Sequence, residues 1–246
     1  MILKLCGYHL KRGSGENMKC LILAGGFGTR LYPLTVNKAK ALFDYKGKPL
    51  LSHLVEMVPR DIDILVSINK RFEADFQRWQ QGIDRQVELC LEEAHNNEQK
   101  KGAVSALNLW VEQKGITEDL LVIAGDNYFG FDLSHFTAAY NGRNALVAVY
   151  DIGDRDKASH FGVVRLNSNK IAEIEEKPAA PGTSLVSTAC YILPPRVFSY
   201  LNQYCSEGRQ DNLGNFISYL VANDEVYAYI FTERWFDIGT EVADLI

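Results

Sequence analysis

The stretch that most constrains this chain runs from Leu21 to Leu42, LILAGGFGTRLYPLTVNKAKAL. It begins within the apolar run Cys20-Leu21-Ile22-Leu23-Ala24, whose length and following glycines predict a buried strand. Gly25, Gly26 and Gly28 come next, with Thr29 and Arg30 directly behind them. Glycines so closely spaced let the backbone turn sharply and present its N–H groups with no side chain holding a ligand away. A strand emptying into such a loop is suited to cradle phosphate. Arg30 adds a planar fork that matches phosphate oxygens, and Lys38 and Lys40 follow on the same loop. Spacing rules out two familiar glycine loops. A dinucleotide fingerprint needs G-x-G-x-x-G, and Leu31 stands where its last glycine belongs. A P-loop needs Gly-Lys-Ser/Thr, which occurs nowhere in the chain.

With 246 residues and 47% apolar content, the chain can bury a sizeable core. A formal net charge of −5 gives no support to nucleic acid or a membrane surface as partner, so an anion site must be a local basic cluster. The five cysteines are odd in number and contain no C-x-x-C pair. That usage points to a reducing, cytoplasmic setting and away from disulfides or zinc. No apolar run approaches the roughly 20 residues of a membrane span. Residues 1–17 lack the continuous apolar core and cleavage site of a signal peptide, and read as a disordered or loosely docked extension.

Beyond the loop, helical spacing predicts helices over 50–58, 71–81 and 102–113, alternating with apolar strands over 62–68, 86–91 and 119–124. This β-α alternation implies a mostly parallel sheet covered on both faces. The glycine loop and Asp126 then both lie at carboxyl ends of strands, where open α/β sheets bind ligands. The second half predicts a helix over 132–140, a strand over 145–150, a hairpin turning at 167–169, and a strand over 185–193. Helices over 196–204 and 212–222 and a strand over 226–231 complete the reading. Residues 18–246 read as one α/β domain, whose first half spans about 18–130 and whose second half, about 131–246, adds a substrate-covering portion to the same sheet.

Several later residues could carry chemistry. Asp126 follows a strand and a glycine, where a carboxylate can hold Mg²⁺ against phosphate oxygens, although turn and capping roles are common for Asp. Asp237, among Trp235, Phe236 and Ile238, has the same two readings and needs a partner if buried. Glu176-Lys177-Pro178 could hold a sugar hydroxyl and a phosphate, or be a solvated charge run. His160 reads as a loop residue, and no Ser or Cys nucleophile arrangement is present.

Taken in order, these signals resemble the sugar-1-phosphate nucleotidyltransferases, the nucleotide-sugar pyrophosphorylases. That family's L-A-G-G-x-G-T-R-L-x-P-L-T signature matches residues 23–35, and its G-D-N matches Gly125-Asp126-Asn127. Its aromatic-Gly-Val, E-K-P and W-x-D-x-G-T match Phe161-Gly162-Val163, Glu176-Lys177-Pro178 and Trp235–Thr240. The resemblance implies a Rossmann-like α/β fold, with a mostly parallel mixed sheet and helices on both faces. It implies that Leu23, Ala24, Gly25, Gly26, Gly28, Thr29, Arg30, Gly102 and Asp126 bind the nucleotide. Arg30, Lys40 and Asp126 would be catalytic, and Asp126 and Asp237 would hold Mg²⁺. Gly162, Glu176 and Lys177 would bind the sugar-1-phosphate. The reaction implied is attack of a sugar-1-phosphate oxygen on the α-phosphorus of a nucleoside triphosphate. The chain looks closest to glucose-1-phosphate enzymes using dTTP or UTP, with self-association left open. A non-catalytic sugar-nucleotide-binding relative is the alternative, although such proteins tend to lose the Arg, Lys or Asp positions kept here.

Departures are local. Ala39 stands where the family most often has Pro, and Thr188-Ala189 where it commonly has Thr-Gly, a methyl that would narrow the sugar pocket. Residues 92–101 form a longer, more charged segment than a compact base-reading loop, with Glu93 the nearest candidate for a base contact. The sequence stops six residues after Thr240, which points away from the C-terminal β-helix of many relatives.

Overall fold

The computed structural model describes residues 18–99, 101–209 and 212–239. The reading of residues 1–17 and the Thr240 position of the last motif lie outside the described residues. The first strand, β1 (Lys19–Leu23), empties into the glycine loop. A small hairpin of β2 (Asp44–Tyr45) and β3 (Lys48–Pro49) leads into α1 (Leu50–Met57). Then come β4 (Asp63–Asn69), α2 (Glu73–Gln81), β5 (Glu88–Glu92), α3 (Ala103–Gln113) and β6 (Leu120–Ala124). The second half runs β7 (Asn127–Phe129), α4 (Leu133–Ala139), β8 (Ala145–Asp151), the single turn α5 (Arg155–Ala158), and the hairpin β9 (Gly162–Asn167) and β10 (Lys170–Glu176). It closes with β11 (Leu185–Leu193), α6 (Val197–Ser206), α7 (Leu213–Asn223), β12 (Val226–Phe231) and β13 (Trp235–Asp237).

Among the described residues, nine strands form one sheet in the order β5-β4-β1-β6-β11-β8-β12-β10-β9. The first four are mutually parallel, as the β-α alternation requires. Beyond β6 the sheet is mixed: β11 runs antiparallel to both neighbours, while β12 lies parallel to β8. Successive residues of β1 serve opposite faces. Cys20 and Ile22 pack with the core under α1, α2 and α4, and Leu21 with the core under α3, α6 and α7. All three are fully buried, so truncating Leu21 to Ala would cost about 2–5 kcal/mol.

Two features of the fold bear directly on the cleft. The helix expected over 71–81 is split. Asn69 caps a 3₁₀ turn at Lys70–Phe72 by accepting from the Phe72 N–H, and α2 starts after it. Strand β11 changes partners along its length, and its register shifts between Ser187 and Tyr191. Its first part pairs with β9 and its last part with β6. Ala189 sits in this break with φ +55°, a left-handed backbone that costs an alanine roughly 1–2 kcal/mol. The backbone, more than the methyl's bulk, is what a glycine would suit here.

Candidate active site

The carboxyl ends of β1, β4, β5 and β6 open onto one cleft of about 840 Å³, whose far wall is built from β9, β10, β11 and the start of α7. Of the residues that the resemblance assigns to nucleotide, metal or sugar-phosphate, all but Ala24 are on its lining. Ala24 is buried in the core, because β1 alternates and its N–H is spent on the Ser67 carbonyl at 2.8 Å. Lys38 also stands outside the cleft, in an exposed ion pair with Asp44.

The three loop glycines do different work. A Cβ on Gly26 would meet nothing within 4 Å, so its bareness serves the open cleft. Gly28 has φ +62°, and a Cβ there would lie 2.6 Å from Lys40 Cγ and 2.9 Å from Thr35 Cγ2. Gly28 therefore makes room for the lysine stem. A Cβ on Gly25 would lie 3.0 Å from Glu92 Oε1. The loop's carbonyls are tied down, Gly25 O by Asn69 Nδ2 at 3.0 Å and Gly28 O by Thr35 Oγ1 at 2.7 Å. The N–H groups of Gly25, Gly26 and Gly28 donate to no protein acceptor among the described residues. That leaves them for an anion.

Lys40 stretches over Gly28 and places Nζ 2.7 Å from Asp126 Oδ2. Burial works to lower the amine's pKa, but the charge and hydrogen bond of Asp126 outweigh it and hold it above the usual lysine range. The Asp126 carboxyl is likewise held below the ordinary aspartate range, burial being outweighed by Lys40. Asp237 joins them through an element absent from the sequence reading. Strands β13 and β7 pair antiparallel with Asp237 opposite Asn127, and Ile238 N donates to Asp126 O at 3.0 Å. Asn127 locks this ribbon: its Oδ1 accepts from Trp235 Nε1 at 2.8 Å, and its Nδ2 donates to Asp126 Oδ1 at 3.1 Å. Burial, followed by the neighbouring Asp126 charge, pushes the Asp237 carboxyl well above the aspartate range. Two crowded, partly desolvated carboxylates fit a hard divalent cation. The described residues contain no group of three or more His, Cys, Asp or Glu placed to hold a metal by themselves. A cation held by this pair would thus be completed by phosphate oxygens and water, the usual manner of Mg²⁺.

Across the cleft, β10 delivers Glu176 and Lys177. Lys177 has φ +51°, so two non-glycine residues of the rim, Lys177 and Ala189, are held in left-handed backbone. Such strain concentrates at functional positions. His160, read as a loop histidine, reaches the lining as well.

At the glycine-loop end, Glu92 and not its neighbour Glu93, the candidate for a base contact, faces the cleft. Glu93 is exposed and off the lining, whereas Glu92 is buried and on it. Ser67 Oγ accepts from Trp110 Nε1 at 2.9 Å and donates to Glu92 Oε1 at 2.6 Å. Burial raises the Glu92 carboxyl, with the Ser67 hydrogen bond opposing. The period of β5 held the signal, since Glu92 shares the buried face of Cys90 two residues before it.

Fold and cleft together define an α/β protein with a glycine loop at its strand ends, suited to phosphate, beside an acid pair. Residues 19–245 match the family described as nucleotidyl transferase, and the chain belongs to that family. It is 32% identical over 231 residues to a UTP–glucose-1-phosphate uridylyltransferase of Haloferax volcanii, covering 90% of this chain and 91% of that one. A Bacillus anthracis protein assigned as a glucose-1-phosphate thymidylyltransferase, solved with sucrose, superposes with a TM-score of 0.77 at 28% identity, over 92% and 91% of the two chains. A UDP-glucose pyrophosphorylase solved with UDP-glucose shares the fold, with a TM-score of 0.74 at 21% identity over 93% and 96%. Some curated relatives are longer: the chain spans 51% of a bifunctional protein of Methanocaldococcus jannaschii, to which it is 28% identical over 90% of its own length.

Proposed function

We propose that this sugar-1-phosphate nucleotidyltransferase joins glucose-1-phosphate to UTP or dTTP, releasing pyrophosphate and the nucleoside-diphosphate sugar. The observation that carries the reading is the order of groups in the cleft. Lys40, Asp126 and Asp237 stand between a glycine loop with unspent N–H groups and the Glu176-Lys177 wall. The names of the Haloferax and Bacillus proteins support the choice of sugar and base. The glycine loop and Arg30 would take the nucleotide's phosphates. Leu23, Gly102, Ala103 and Glu92 would surround the base, and Gly162, Glu176 and Lys177 would take the sugar-1-phosphate.

The phosphate oxygen of the sugar attacks the α-phosphorus as the bond from that phosphorus to the bridging oxygen of pyrophosphate breaks. The nucleophile is already anionic, so no general base is required. The physical problem is bringing two polyanions together in line. Arg30, Lys40 and Lys177 address it by positioning and by charge placed where it develops. Asp126 and Asp237 would hold Mg²⁺, which supplies further positive charge to the phosphate oxygens. We read residues 18–246 as one domain whose halves, meeting near residue 130, bind nucleotide and sugar phosphate. No helix of the described residues is long and apolar enough to cross a membrane. A cytoplasmic setting suits the four described cysteines, all free.

The test is a matrix of common nucleoside triphosphates against common sugar-1-phosphates with Mg²⁺, reading pyrophosphate release. Glucose-1-phosphate with UTP or dTTP should turn over fastest. Silence in every combination would leave a binding protein and sink the reading.

A further inference from the structure

The Glu176 carboxylate is held by elements that nothing in the motif pattern connects to it. Its Oε1 accepts from Asn212 Nδ2 at 2.7 Å. The same Asn212 caps α7, its Oδ1 accepting from Gly214 N at 2.8 Å. On either side of the carboxylate stands a glycine. A Cβ on Gly162 of β9 would lie 3.1 Å from Glu176 Oε2, and a Cβ on Gly214 would overlap that same oxygen. The backbone of Gly214 is helical, with no left-handed φ to demand glycine. It is the second residue of α7, where the helix itself gives no reason for glycine over alanine. What a side chain there would strike first is the Glu176 carboxylate. Helix α7 is itself anchored to β10, through Ser218 Oγ donating to Ile174 O at 2.7 Å. Asn212 and Gly214 are both on the cleft lining.

We propose that Asn212 and Gly214 are the positioning pair for sugar selection, holding Glu176 in the one orientation in which it accepts hydrogen bonds from the hydroxyls of the sugar-1-phosphate. The inference rests on the reading of the cleft given above. A carboxylate left free to swing could satisfy many sugars equally, whereas one wedged between two glycines and gripped by an amide meets only hydroxyls at fixed positions. Selectivity between sugars that differ at one hydroxyl then depends on α7, an element that need not touch the sugar.

The experiment measures KM for sugar-1-phosphate and for nucleotide separately in N212S, N212A, G214A, E176A and the double variant N212A/E176A. N212S keeps a good helix cap while removing the donor to Glu176, so it separates positioning from stability. Losing or misplacing one charge-assisted hydrogen bond should raise KM for the sugar-1-phosphate by roughly 10- to 100-fold. KM for the nucleotide should stay within about twofold, since its contacts lie at the other end of the cleft. Preference for glucose-1-phosphate over galactose-1-phosphate or mannose-1-phosphate should shrink in the same variants. N212A/E176A should be no worse than E176A, because a residue acting only through Glu176 adds nothing once Glu176 is gone. Equal rises in both KM values, unchanged sugar preference in N212S, or additive losses in the double variant would each overturn the assignment. Failure of the unmodified protein to turn over any pair of substrates would instead remove the reading of the cleft, and this inference with it.

Discussion

Gly28→Ala tests whether the glycine loop does more than bend. The position combines φ +62° with a Cβ site 2.6 Å from Lys40 Cγ, 2.9 Å from Lys40 Cδ and 2.9 Å from Thr35 Cγ2. The left-handed backbone costs an alanine roughly 1–2 kcal/mol. Crowding of this kind typically adds about 1–3 kcal/mol, and the stiffer unfolded chain returns about 0.4–1 kcal/mol. The net loss is then about 1–5 kcal/mol, a fall in Tm of roughly 2–20 °C for a chain of this size. The larger effect is on chemistry. Relieving the overlap by moving the Lys40 stem draws Nζ off Asp126, which it meets at 2.7 Å. A displacement of about 1 Å at such a group costs on the order of 10²-fold in turnover. Thermal unfolding and pyrophosphate release, measured on the same preparation, separate the two effects. Gly26→Ala is the control, since its Cβ meets no protein atom within 4 Å. It should unfold within about 0.5 kcal/mol of the parent and lose affinity for nucleotide instead. A Gly28→Ala protein that is less stable yet turns over normally would refute the claim that this glycine exists for Lys40.

Lys40→Ala and Asp126→Asn should each lower turnover at least about 10²-fold, the scale of losing one electrostatic stabiliser, and near-normal rates in both would remove the mechanism. Asp237→Asn should show a stability difference that depends on pH. The folded protein holds the Asp237 proton more tightly than the unfolded chain, so stability declines as pH rises from the ordinary aspartate range through the raised folded value. The Asn variant lacks that decline and should melt higher than the parent above the folded value, while losing activity. A lower melting temperature at pH 8 would contradict it. Ala189→Gly relieves left-handed strain but loosens the unfolded chain, so its stability should change by less than about 1 kcal/mol in denaturant titrations.

Much of the fold was legible because its signals are local. Strands β11 and β12 fall where apolar runs bounded by turn residues placed them, and the hairpin of β9 and β10 turns at 167–169 as expected. Short elements without a period of their own escaped. Strands β7 and β13 have three residues each and pair across more than a hundred positions, so no window of sequence contains both. For the same reason, the sequence offered Asp126 and Asp237 as separate ambiguous aspartates, and only the ribbon brings them together.

The linear sequence by itself determined the strand-and-glycine loop, the alternation that makes a layered α/β domain, and the residue types able to handle phosphate. Those follow from periodicity, glycine's freedom and charge, all properties of neighbours along the chain. Tertiary structure alone decided that Gly28 makes room for Lys40, that Glu92 rather than Glu93 faces the cleft, and that Asn212 and Gly214 hold Glu176. Each of these depends on which atoms meet across distant segments, and such contacts are set by sheet order and strand register.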